Sequence, residues 1–237
     1  MAYEIVYEIL LVFVGYLFGS IPVGYIIGKV SKGIDIRDYG SGNMGATNVM
    51  RTVSNKAGYL TMGLDMLKGA TAVFLARIYL WFGNYSGFGT DSEAGFPYYL
   101  DAGFFLTLVA FMTVVGHALP VWVKFKGGKS AAVGSGALLG VNPIAWAIIM
   151  ILWFPLLKFT KIMSLSNLIL AFISPVFYWL FAGNEGWFYN GPNLWAVIIS
   201  CIMVVFVFWR HRANIKRLLT GTERKMGEKV EVPEQST

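Results

Sequence analysis

Long uncharged stretches separated by short basic segments predict an all-α integral membrane protein. Three observations carry that reading. Hydrophobic residues make up 56% of the chain and charged residues only 14%, whereas a soluble domain is about a quarter charged. The runs Ile9–Gly28, Ala102–Val123, Ser130–Leu157, Ile162–Asn184 and Gly186–Trp209 contain no Asp, Glu, Lys or Arg. Each reaches the ~20 residues that a spanning helix needs. Most of the Lys and Arg falls in Lys29–Lys56, Lys124–Lys129 and Arg210–Lys229, as in cytoplasmic loops under the positive-inside rule. That rule also accounts for the net charge of +6, so no nucleic-acid partner is needed to explain it.

The elements follow in order. Helix one covers about Ile5–Val30 with its N-terminus outside. Glu4 and Glu8 precede or open it without any Lys or Arg, the reverse of a signal-peptide leader. Helix two, about Ala57–Phe82, carries Asp65, Lys68 and Arg77. Charges at that depth are expected to face the protein interior, and Asp65 and Lys68 share a helical face. The loop Gly83–Pro97 has acids but no Lys or Arg, so it lies outside, and helix three (Ala102–Val123) returns. Basic residues flank Ser130–Leu157 on both sides, and Asn142-Pro143 interrupts it. Proline disfavours a helical residue before it, so this run is expected to be a hairpin of two short helices, either crossing or re-entrant. Helices six (about Ser164–Ala182) and seven (about Asn193–Arg212) complete about seven transmembrane helices, or five plus a re-entrant pair. The C-terminus is then cytoplasmic. Residues 1–219 form one membrane-embedded domain, and 220–237 form a polar tail expected to be disordered.

The single cysteine, Cys201, excludes an internal disulfide, and two histidines are too few for a His-based metal centre. Attention therefore falls on the basic loops. Gly40-Ser41-Gly42-Asn43-Met44-Gly45 matches G-x-G-x-x-G in letters, but no strand or βαβ unit precedes it, so the dinucleotide reading fails. Its physical content is bare backbone beside Ser41, Asn43, Thr47, Asn48 and Arg51, groups that suit phosphate. Lys126-Gly127-Gly128-Lys129-Ser130 lacks the first glycine of a Walker A loop, yet it places two glycines and two lysines at a helix start, which favours anions. His211 and Asn214 share a helical face, and Ser164 opens helix six. His117 ends helix three, where a structural role is expected. Neither histidine has Asp five residues on; Trp122 and Lys216 stand there, which excludes the His-x₄-Asp acyltransferases. No Ser-His-Asp set is evident.

Taken together, the ordered motifs resemble those of the bacterial acyl-phosphate-dependent glycerol-3-phosphate acyltransferases. They are Gly19-Ser20-Ile21-Pro22, the Gly40–Arg51 loop, Asp65-x-x-Lys68-Gly69, Gly116-His117-x-x-Pro120-Val121 leading to Phe125–Lys129, and Arg210-His211-Arg212-x-Asn214. The resemblance implies a seven-helix enzyme of the bacterial inner membrane with its site on the cytoplasmic side. It would move a fatty acyl group from acyl phosphate to the sn-1 hydroxyl of glycerol 3-phosphate, giving lysophosphatidic acid and phosphate, the first step of phospholipid synthesis. No cofactor or metal is implied. By the resemblance, Lys129, Arg51, Ser164, His211 and Asn214 serve catalysis, while Ser41, Gly42, Asn43, Thr47 and Asn48 hold phosphate with Gly127 and Gly128. The acyl tail would lie between helices, in contact with membrane lipid. Two departures stand out. Ser130-Ala131-Ala132-Val133 replaces the usual Gly-Val-Ala-Thr after Gly-Gly-Lys, and Asn167 stands where a second serine is usual. The alternative is a transporter or flippase for an organic phosphate, which would want symmetric repeats; none is apparent.

Overall fold

The computed structural model describes residues 2–82, 102–181, 194–228 and 230, and every regular element among them is a helix. In order the α-helices are α1 (Ala2–Ser20), α2 (Val23–Lys32), α3 (Ala46–Thr52), α4 (Asn55–Phe82), α5 (Ala102–Ala118), α6 (Ala131–Val141), α7 (Pro143–Thr160), α8 (Met163–Leu180), α9 (Leu194–Arg210) and α10 (Arg212–Leu219), with short 3-10 turns at Ile36–Asp38 and Val121–Val123. The expected outside loops at 83–97 and around Glu185 lie outside the described residues.

Helix one, expected as continuous, breaks at Ile21-Pro22 into α1 and α2. Pro22 has no N–H and cannot continue the hydrogen-bond ladder. At the break the Ile21 carbonyl accepts from Val23 N at 3.0 Å and from Lys68 Nζ at 2.7 Å. The two pieces remain one apolar path, Val6–Lys32, of 27 residues. Ala102–Val123, Pro143–Thr160 and Met163–Leu180 are also long and apolar enough to span, and α9 with α10 makes a fifth path bent by 64°.

The Asn142-Pro143 break is where the sequence put it. Asn142 caps α7 by accepting from Ala145 N at 2.9 Å, with Pro143 in the first turn. Only one arm of the expected pair of short helices is short, however. At about 1.5 Å per residue, α6 is roughly 16 Å long and α7, running on to Thr160, roughly 27 Å. A helix ending inside a bilayer leaves carbonyls without water. Buried Arg77 meets that need by donating from Nε to Gly140 O at 2.6 Å and from Nη2 to Val141 O. The charge therefore faces the interior, as expected, and terminates a neighbouring helix.

Lipid is as apolar as leucine, so close backbone packing rather than hydrophobicity holds such helices together. A Cβ on Gly19 would lie 2.0 Å from Thr113 O and one on Gly116 2.1 Å from Tyr16 O, which brings α1 and α5 into backbone contact. Gly69 and Gly136 do the same for α4 and α6. A core of Val73, Leu80, Phe105, Leu106, Val141 and Tyr178 fills the centre, while Leu67, Phe154, Phe172 and Val205 are exposed as a lipid-facing belt.

Candidate active site

One cavity of about 400 Å³ enters the bundle between α4, α5, α6, α7, α8 and α9. Its polar end is lined by Ser41, Asn43, Thr47, Asn48, Arg51, Lys129, Ser164, His211, Asn214, Glu223 and Arg224. Beyond lie Met150, Trp153, Phe154, Leu170, Val204 and Val207, and the cavity reaches Tyr178 and Val141. From Ser164 to Tyr178 along α8 is about 21 Å at the helical rise. The sequence motifs thus converge from separate loops on one polar mouth above an apolar shaft.

The first loop is built around Asn48, which is buried. Its Nδ2 donates to Ile36 O (2.8 Å), Tyr39 O (3.2 Å) and Asn43 O (2.7 Å), and its Oδ1 accepts from Ser41 N (2.8 Å). A Cβ on Gly40 would fall 2.3 Å from that oxygen, and Gly40 and Gly42 have φ of +64° and +67°. Asn48 thus shapes the loop with its whole hydrogen-bonding capacity, leaving Ser41, Asn43 and Thr47 to face a ligand. Gly42 bends the chain without lining the cavity. Arg37 is taken up by Asp35 (2.6 Å) and by Val123 O (3.1 Å), which ties the loop to the 3-10 turn Val121–Val123 that follows α5.

Arg51, on α3, donates from Nη2 to Arg224 O at 3.5 Å, while its buried Nε has no protein partner. Burial and the nearby Arg224 hold its pKa below the usual arginine value. Lys129 is pushed down to about 8, chiefly by burial, with Arg217, Arg51 and Arg210 adding repulsion against the attraction of Glu223. Gly127 and Gly128, expected as a phosphate cradle, lie outside the lining. Gly128 N donates to His117 O (3.0 Å), and Arg210 donates to the carbonyls of Gly127 (3.3 Å) and Gly128 (2.9 Å). These bonds fix the segment that carries Lys129.

His211 sits at the bend between α9 and α10. Its Nδ1 lies 2.8 Å from Val207 O; a carbonyl can only accept, so Nδ1 carries the proton and Nε2 is the acceptor nitrogen. The residue that sequence reasoning missed is Glu223. Its Oε1 accepts from Ser164 Oγ (2.7 Å) and Asn214 Nδ2, and its Oε2 accepts from Arg217 Nε (2.7 Å). Burial works to raise its pKa, but those hydrogen bonds outweigh burial and hold the carboxyl below its usual range. One signal was available: Glu223 is an isolated acid among Arg210, Arg212, Lys216, Arg217, Arg224 and Lys225. Of the expected tail, residues 229 and 231–237 lie outside the described residues. Asn167 lines the shaft and accepts from Trp153 Nε1 at 2.9 Å.

Fold and site together define an integral membrane protein with a cationic pocket opening onto an apolar shaft. The family model for glycerol-3-phosphate acyltransferase matches residues 9–221. A glycerol-3-phosphate acyltransferase of Rhodopseudomonas palustris (strain BisB5) is 40% identical over 215 residues, covering 91% of this chain and 94% of the relative. That of Bacillus subtilis (strain 168) is 36% identical over 217 residues, covering 92% and 96%. A crystal structure of PlsY (YgiH), an integral membrane glycerol 3-phosphate acyltransferase in its glycerol 3-phosphate form, superposes with a TM-score of 0.75 at 30% identity, over 93% of this chain and 96% of that one. The lysophosphatidic acid form gives 0.72. The chain belongs to the glycerol-3-phosphate acyltransferase family.

Proposed function

We propose that this enzyme transfers a fatty acyl group from acyl phosphate to the sn-1 hydroxyl of glycerol 3-phosphate, in the bacterial inner membrane and with the pocket on the cytoplasmic side. The fold is read as seven crossings with the N-terminus outside. The carrying observation is the cavity itself, with Arg51, Lys129 and Arg224 at one end and mainly apolar walls along the rest. Two reactants bearing phosphate need such cations, and one bearing a fatty chain needs such a shaft. At about 1.2 Å per bond of an extended chain, the ~21 Å shaft takes roughly 18 carbons.

Acyl phosphate is an activated mixed anhydride, so no covalent enzyme intermediate is required. The glycerol hydroxyl attacks the acyl carbon, the bond from that carbon to the phosphate oxygen breaks, and phosphate leaves with the hydroxyl proton. The protein supplies orientation and charge stabilisation. In this reading Arg51 and Lys129 neutralise phosphate, the orphaned Arg51 Nε and Asn43 Oδ1 turn to the ligands, and His211 Nε2 orients a hydroxyl. Ser41 and Thr47 add short contacts, and Ser164 and Asn214 are exchanged from Glu223 to substrate. Purified protein in vesicles, given acyl phosphate and labelled glycerol 3-phosphate, is expected to form lysophosphatidic acid only when acyl phosphate is present. Uptake of label without product would establish the carrier reading instead.

A further inference from the structure

We propose that Asp65, Lys68 and His117 are positioning residues for Lys129, acting through the backbone of Gly128. The inference rests on the cavity being the acyl-transfer site. Lys68 Nζ lies 2.9 Å from Asp65 Oδ1, 2.7 Å from Ile21 O and 3.0 Å from His117 Nδ1. An ammonium only donates, so the ring nitrogen that faces it must accept. His117 Nδ1 is therefore the accepting nitrogen and its ring proton is on Nε2. All three side chains are buried, and Asp65 and His117 line the same cavity as Lys129.

The ring faces one backbone position. A Cβ on Gly128 would stand 1.9 Å from His117 Nε2, and Gly128 N donates to His117 O at 3.0 Å. On the other side, Arg210 holds the carbonyls of Gly127 and Gly128. The peptide before Lys129 is thus clamped between an imidazole and a guanidinium. No described side chain bonds the Lys129 ammonium, so the clamp decides where that charge stands. Charges buried at membrane depth are costly, and this cluster fixes the ring that seats the loop.

The test is a double-mutant cycle on purified enzyme. His117→Asn keeps an acceptor near Lys68 but removes the ring atoms above Gly128. Gly128→Ala alone is expected to lower kcat/KM by about 10- to 100-fold, the scale for misplacing a catalytic group by an ångström. In the His117→Asn background the same alanine is expected to cost less than about threefold, because the clash is gone. Equal cost in both backgrounds, or a harmless Gly128→Ala in the wild type, overturns the proposal. Where Gly128→Ala is not recovered folded, recovery of the double variant but not the single one supports the clash, and failure of both overturns it. His117→Asn alone is expected to change the same kinetic constant as Lys129→Arg; a lowered melting temperature with unchanged constants would mean a structural role only. Wild-type protein without any acyl-transfer product would refute the functional reading, a separate outcome.

Discussion

Raising the pH is expected to weaken phosphate binding through Lys129, by an amount that follows from the site. Burial, the largest influence, brings its ammonium to about 8 from an ordinary 10.5. A phosphate ester completes its second ionisation near pH 6, so above pH 7 the ligand's charge is about constant. If only the ammonium form binds, affinity falls by the factor 1 + 10^(pH − 8), which is about 1.1 at pH 7 and about 11 at pH 9. The expected loss is about tenfold, or about 1.4 kcal/mol. The measurement is KM for glycerol 3-phosphate at fixed acyl phosphate from pH 7 to 9, beside Lys129→Arg, whose guanidinium stays charged throughout. Stability runs in the opposite direction. A lysine whose folded pKa lies below its unfolded value penalises the fold while protonated, so the ligand-free protein gains stability from about pH 8 towards 10.5. Weakened binding with a rising melting temperature therefore cannot come from unfolding. A flat wild-type profile, or the same tenfold fall in Lys129→Arg, refutes the reasoning.

Lys129→Ala and Arg51→Ala are each expected to lower turnover by about 10²-fold or more, the scale for losing a transition-state charge contact, read as initial rates at saturating substrates. Glu223→Gln keeps an acceptor for Ser164 and Asn214 but turns an amide or a neutral oxygen towards Arg217. It is expected to cost about 1.5 kcal/mol, the low end for a charged hydrogen bond given the partly exposed arginine, measured by thermal unfolding. Because the folded carboxyl pKa of Glu223 is depressed, its wild-type contribution is present above the unfolded value and lost as pH falls through the folded one. Ser130 has φ of +67° and donates from Oγ to Val114 O at 2.8 Å. Ser130→Ala keeps the strain and loses the bond, costing about 1 kcal/mol. Ser130→Gly also relieves about 1 kcal/mol of left-handed strain and is expected to be close to neutral, so the two melting curves separate.

What was legible in the sequence was local. Asn142-Pro143 marked a helix boundary because proline acts on its immediate neighbours, and the uncharged runs marked α5, α7, α8 and α9 because lipid constrains every residue of a span. The same proline rule applied at Pro22, but the long apolar run around it suggested one helix, and the break became plain only with Lys68 bonded to Ile21 O. Arg51, Lys129, Ser164, His211 and Asn214 all reach one cavity, as the ordered motifs implied. The sequence did not disclose who bonds whom across the fold. Glu223 meets Ser164 across 59 positions and Arg210 meets Gly128 across 82, and no spacing rule covers such distances. The paired glycines suggested an anion loop by their letters, whereas the coordinates give Gly128 N to a carbonyl and its missing side chain to a histidine ring.

Glu223 also bears on how the enzyme comes into being. It follows the last helix, yet it joins Ser164 at the head of α8 to Asn214 and Arg217 on α10. A ribosome threading this protein into the bilayer must therefore deliver residue 223 before α8 and α10 can be joined at the pocket.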